Sequence, residues 1–261
     1  MALVDLSVAS NLKEFQRGMT QLEKRQLPFA MALALTRSAM QAKQYLRGEM
    51  KKRFDRPTNY TLNSLYVRPA TKRNLAASVE IKDTAATSKG NAAAKFLSPQ
   101  IEGGSRAMKG FELGLSGLTG GMFAMPSKQA PLDQYGNLSL GQIRKIRSRL
   151  QSASGPGYDA NIGERTRKQL RKKGLLNYQT RGKHPATSDY FIAMSKRSKA
   201  PLGVYQFLGS HRVKPVLIFT DNAPNYRQRF PFSDLVVLSV DATIAPNLDA
   251  AMAQAMASAR M

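Results

Sequence analysis

Cysteine and tryptophan are both absent from this chain of 261 residues. Without cysteine there are no disulfides, no thiolate zinc ligands and no cysteine nucleophile. Histidine is nearly absent: His184 stands in "GKHPAT" and His211 in the turn "GSHRV", and neither has carboxylate or histidine neighbours at metal-ligand spacing. Both read as turn residues. Acidic residues are scarce, 17 against 40 Lys and Arg. Asp133, Asp159 and Glu164 could meet in space, but the sequence gives no reason to expect it, so a nuclease- or glycosidase-type carboxylate pair is unsupported. Long apolar runs are missing as well. The longest stretches, such as "LVVL" at 235 to 238, fall far short of the roughly 20 residues that cross a bilayer, so no transmembrane helix and no membrane partner are expected. The opening "MALVDLSVASNLKEF" lacks a basic region followed by a long apolar core and does not read as a secretory signal, which predicts a product that stays where it is made.

What is present is positive charge. The formal net charge is +23, an excess that implies a polyanionic neighbour, either nucleic acid or an acidic protein surface. Charge alone does not choose between them. The length suits one or two domains with a sizeable core.

Periodicity organises the two ends. From Ser10, placed to cap the first turn, Leu12, Phe15, Met19 and Leu22 recur at helical spacing and predict an amphipathic helix over 10–25. Pro28 suits the first turn of a second helix whose apolar face runs from Phe29 through Leu33, Met40, Leu46 and Met50 to Phe54. Its basic end "KKRF" complements the helix dipole, a simpler reading than a binding role. "LYVRPA" (65–70) and "LAASVEIK" (75–82) form a hairpin pattern, and "DYFIAMS", "GVYQFLG" and "KPVLIFTD" an antiparallel meander. In the closing segment Ser233 or Asp234 can cap a helix with Val237, Val240, Ile244, Leu248 and Met252 on one stripe, which Pro246 should kink or restart. The predicted fold class is α+β: N-terminal helices and a C-terminal helix on a split antiparallel sheet, with a discontinuous core over 1–85 and 188–261.

Residues 86–187 read as a Gly/Lys/Arg-rich insertion, with 17 basic and 5 acidic residues. Within it, "SLGQIRKIRSRLQSA" sets Leu140, Ile143, Ile146 and Leu150 along one helical stripe and Arg144, Lys145, Arg147 and Arg149 elsewhere. The insertion is expected to be poorly ordered alone and to dock a partner through that stripe; the other reading is that the stripe packs on the protein's own core. "GERTRKQLRKKG" (163–174) is a second basic stretch, anchored by Leu170 alone. The glycines of "ELGLSGLTGGMF" follow no strand and precede no clear helix, so they predict a flexible arm rather than a phosphate cradle, and no cofactor motif is recognisable. No G-x-S-x-G, H-E-x-x-H or Walker A pattern occurs. The basic runs carry few aromatics, so a base-stacking platform is missing, while nonspecific contact with DNA backbone stays open.

Three stretches carry a likeness: "FQRGMTQLEKRQLPFAMALALTRSAMQAKQYLRGEM", "KFLSPQIEGGSRAMKGFELGL" and "KPVLIFTDNAPNYRQRFPFSDL". Together they resemble the minor tail and tail-completion proteins of tailed bacteriophages, the minor tail protein Z type. The resemblance implies a non-enzymatic virion protein made in the host cytoplasm and located in the neck or tail. It would be a homo-oligomer around the tail axis, with other neck, connector and tail-tube proteins as partners and packaged DNA nearby. The long insertion exceeds the simplest members. The rival expectation is a nonspecific DNA-binding or packaging protein. In the virion reading Tyr226, Arg227, Arg229, Phe230 and Phe232 form a partner-binding cluster, since interfaces concentrate aromatics and Arg. Phe230 and Phe232 can equally pack the helix start from inside.

Overall fold

A computed structural model of the chain describes residues 3–7, 21–83, 92–150, 190–208 and 212–259. Most of the expected first helix, the basic stretch 163–174 and both histidines lie outside these residues. The chain is α+β and divides into two compact units, Met1–Ser105 with Asn225–Met261, and Arg106–Pro224.

The first unit is built on two long helices. α1 (Gln21–Arg53) runs unbroken through Pro28, which was expected to open a new helix. A proline removes one backbone donor, and the buried residues that follow at spacings of three and four, Leu27, Met31, Leu35, Ala39, Ala42, Leu46 and Met50, keep the segment helical by packing. α2 (Asn59–Leu62), capped by the Thr58 side chain, leads into β2 (Leu65–Arg68) and β3 (Ala76–Ile81). These are the expected hairpin, antiparallel with Val67 opposite Val79. A strand absent from the sequence reading, β1 (Leu3–Ser7), pairs on the other side of β3 to give the order β1-β3-β2. α3 (Ala93–Ile101) and β4 (Gly104–Ser105) follow.

The C-terminal helix, numbered α6 below because two further helices precede it in the chain, spans Phe232–Ala259 and lies antiparallel to α1. It continues through Pro246 without a restart. Its inner face is Phe232, Leu235, Val236, Val240, Asn247, Ala251 and Ala255; Val237, expected on that face, is exposed. Near its end Ala251 and Ala255 meet Ala30 and Ala34 of α1, and four small side chains let the two backbones approach closely.

The second unit holds what was expected to be insertion together with the meander. Its four-stranded antiparallel sheet has the order β5-β8-β7-β6, with β5 (Phe123–Pro126), β6 (Tyr190–Met194), β7 (Pro201–Phe207) and β8 (Val213–Thr220). The meander therefore forms an antiparallel sheet separate from that of the hairpin. Pro215 sits in β8, where it cannot donate to the ladder, and the register shifts between Val204 and Tyr205 where Tyr205 meets it. α4 (Gly110–Thr119) and α5 (Leu140–Arg149) contribute Leu115, Ile146 and Leu150 to a core shared with Val204, Val216, Leu217 and Phe219. The "ELGLSGLTGG" stretch is thus a helix rather than an arm, closed by Gly120 in the left-handed conformation at φ 69°.

Candidate interaction surfaces

Residues 225–232 link a small ribbon to α6. β9 (Asn225–Tyr226) pairs with β4, Tyr226 opposite Gly104. The backbone turns into that ribbon through Gly103 and Gly104 at φ 79° and 87°, a region that side chains other than glycine avoid. The backbone N–H groups of Arg229 and Phe230 both donate to the Gln100 carbonyl, each at 2.9 Å. That carbonyl belongs to the last turn of α3, where helix oxygens lack internal partners. Phe230 and Phe232 are wholly buried, with the Phe230 ring 5.5 Å from that of Phe54 and 6.2 Å from that of Phe232. The aromatic half of the sequence-predicted cluster is therefore core. Tyr226 is half-buried, and only Arg227 and Arg229 face solvent.

Those two arginines belong to a basic ledge. Arg53 Nη1 donates to the Arg229 carbonyl at 3.3 Å, which brings the last turn of α1, with Lys51 and Lys52, beside the segment. Glu49 accepts from Lys52 at 2.8 Å and from Arg53 at 2.9 Å, and these hydrogen bonds hold its carboxyl below the usual range. Among the described residues no carboxylate pairs with Lys51, Arg227 or Arg229.

The outer face of α6 has the opposite character. Val237 and Leu238 are 47% and 60% exposed, flanked by exposed Asp234 and Asp241, with Asp249 two turns further on. The helix carries no Lys or Arg between Phe232 and Ala259. By length and composition it is apolar enough to cross a membrane. The sequence reading missed this because no unbroken apolar run is long; scattered Ala and Met supply the rest. In the structure its inner face packs on α1. The signal for the outer face was three acids without a base on one helix of a chain at +23.

The stripe on α5 divides. Leu140 is 61% exposed and Ile143 half-buried, whereas Ile146 and Leu150 are wholly buried in the second unit's core. The stripe packs mainly on its own unit, the reading that had stood as the alternative to docking. Arg144 is exposed; Arg147 is half-buried, its guanidinium close enough to Gly114 that an added Cβ there would stand 2.9 Å from Nη2.

Buried acids in both units serve structure. Glu112 takes a bidentate pair from Arg106, one arm at 2.7 Å, and accepts from the backbone N–H of Lys109 at 2.6 Å and of Ala124 at 2.9 Å. Burial pushes its carboxyl up, but these four donors outweigh burial and hold it below the ordinary range. Glu80, buried in β3, is likewise held down by hydrogen bonds from Tyr66 and Ser78 and by the Arg68 charge. Asp133 accepts from the N–H groups of Tyr135 and Asn137 in a turn. Among the described residues no group of three His, Cys, Asp or Glu side chains could hold a metal ion.

No family model, curated protein or solved structure matches this chain.

Proposed function

We propose that the protein is a non-enzymatic structural component of a tailed-phage virion, assembled in several copies where head meets tail, with connector, neck or tail-tube proteins as neighbours. The observation that carries this reading is the pairing of unlike surfaces on the first unit. A basic ledge, with Lys51 at the end of α1 and Arg227 and Arg229 on the segment leading into α6, and an acidic, partly apolar face of α6 at Asp234, Val237, Leu238 and Asp241 are anchored in one core. Buried Phe230 and Phe232 hold the ledge in place, and surfaces held in place lose little entropy on docking. The likeness of the three stretches to tail-completion proteins supports that location.

The test is electron microscopy of particles assembled with and without the protein. Filled heads lacking tails, or tails lacking heads, are the expected outcome of its removal; intact particles would end the proposal. A second reading, nonspecific binding to packaged DNA, is favoured by the net charge of +23. Duplex affinity that is submicromolar at low salt and falls steeply as salt rises would establish it instead.

A further inference from the structure

The second unit contains a cleft that neither surface above uses. It has a volume of about 420 Å³ and is lined by Ser139, Gln142, Lys145, Tyr190, Gln206 and Lys214. These come from the first turns of α5, the start of β6, the end of β7 and the start of β8, so the packing of a helix on a sheet brings them together. Among the described residues the lining contains two ammonium groups, two carboxamides, a phenol and a hydroxyl, and no carboxylate. Among the described residues neither Lys145 nor Lys214 has an ion-pair partner.

Three further features point at a ligand. Ser139 caps α5 by accepting from the Gln142 N–H at 3.2 Å, which leaves the N–H groups of Leu140 and Gly141 without partners inside the helix. Gly141, which also lines the cleft, has nothing within 4 Å of where a Cβ would stand, so a ligand can come close to the backbone. Tyr190 is 94% buried, given its 6% exposure. Its oxygen receives one long contact from Gln142 Nε2 at 3.5 Å, and its own proton meets no acceptor among the described residues. A hydroxyl that lines the cleft with one long partner has its proton to give to a ligand oxygen.

All these groups ask for the same thing: a compact acceptor carrying about two negative charges. We infer that the cleft binds the dianionic phosphoryl group of a small phosphomonoester or of free phosphate, with Lys145 and Lys214 on its oxygens, the α5 N-terminus beneath it and the Tyr190 hydroxyl donating. A backbone phosphodiester carries one charge per group and suits two ammoniums and a helix N-terminus less well. The volume leaves room beyond the phosphoryl group for a substituent.

The experiment is calorimetric titration of the full chain at low ionic strength with inorganic phosphate, phenyl phosphate and dimethyl phosphate. Saturable binding of the first two is expected, with dimethyl phosphate at least about tenfold weaker, in line with the lost charge. Lys145→Gln and Lys214→Gln are each expected to weaken phosphate about tenfold, while Lys82→Gln, at an exposed lysine of the first unit outside the basic ledge, leaves it unchanged. Lys145 is exposed, so its variant keeps the fold, which circular dichroism checks. No saturation, equal binding of dimethyl phosphate, or equal loss in the Lys82 variant would overturn the site.

Discussion

The side chain of Asn247 on α6 donates to Ser38 Oγ at 2.9 Å and to Gln41 Oε1 at 2.8 Å on α1, joining residues 209 and 206 positions apart. Asn247 and Ser38 are buried among apolar side chains, where a polar group is tolerated only if it is paired. The amide therefore sets the lengthwise register of two helices whose Ala-lined contact would otherwise allow sliding.

Asn247→Ala is expected to lower stability by about 1–3 kcal/mol, because two acceptors lose their donor. Urea unfolding checks it. The double variant Ser38→Ala/Asn247→Ala is expected to lose less than the sum of the two singles, the sign of a direct pair.

The segment before α6 separates core from surface at single-residue resolution. Phe230→Ala is expected to cost about 3–5 kcal/mol, as for other fully buried aromatics. Arg227→Ala and Arg229→Ala are expected to stay within about 0.5 kcal/mol of the parent while reducing incorporation into particles. Equal loss of stability in all three would show that the arginines are structural.

A similar contrast holds on α5. Ile146→Ala is expected to cost about 2–5 kcal/mol, and Leu140→Ser, at a 61% exposed position, to leave the unfolding midpoint almost unchanged. On β7, Gly203→Ala is expected to destabilise the second unit by about 1–3 kcal/mol, since the new Cβ would collide with the Leu217 carbonyl of β8. Limited proteolysis within 106–224 reports it.

The carboxyls of Glu112 and Glu80 are held below their ordinary range in the folded chain. On acidification the unfolded chain takes up these protons first, near pH ~4.3. Stability contributed by the two groups is thus fully present above that pH and is lost as pH falls from there through the folded values. Urea midpoints measured from pH 7 to 3 are expected to drop across this window. Glu112→Gln is expected to flatten the slope and to lower stability at pH 7 by about 3–5 kcal/mol, since it removes the charge that Arg106 pairs with.

Local pattern was enough for most elements. The alternation in "LAASVEIK", the three meander strands and the helical spacing of α1, α5 and α6 are written in short windows, so the α+β class followed from them. Charge was legible in the same way. The sequence could not say which face of an element is inner when both are apolar. Val237 and Val240 differ little in chemistry, yet one faces solvent and the other α1, because α1 touches α6 along only one line. Glycine misled for a related reason: "ELGLSGLTGG" has weak helix propensity, and burial of Leu115 with the hold of Glu112 on β5 overrides it.

What the sequence determined by itself is therefore the set of elements and the strong positive charge, both properties of neighbouring residues or of sums. Tertiary structure decided the rest. It assigned Phe230, Phe232, Ile146 and Leu150 to the interior and left Arg227, Arg229 and Leu140 outside. It placed the meander with α4 and α5 rather than with the hairpin, and it brought Lys145, Tyr190 and Lys214 to one cleft. Each of these depends on contacts between residues far apart in the chain, whose energy is set by which surfaces meet and exclude water.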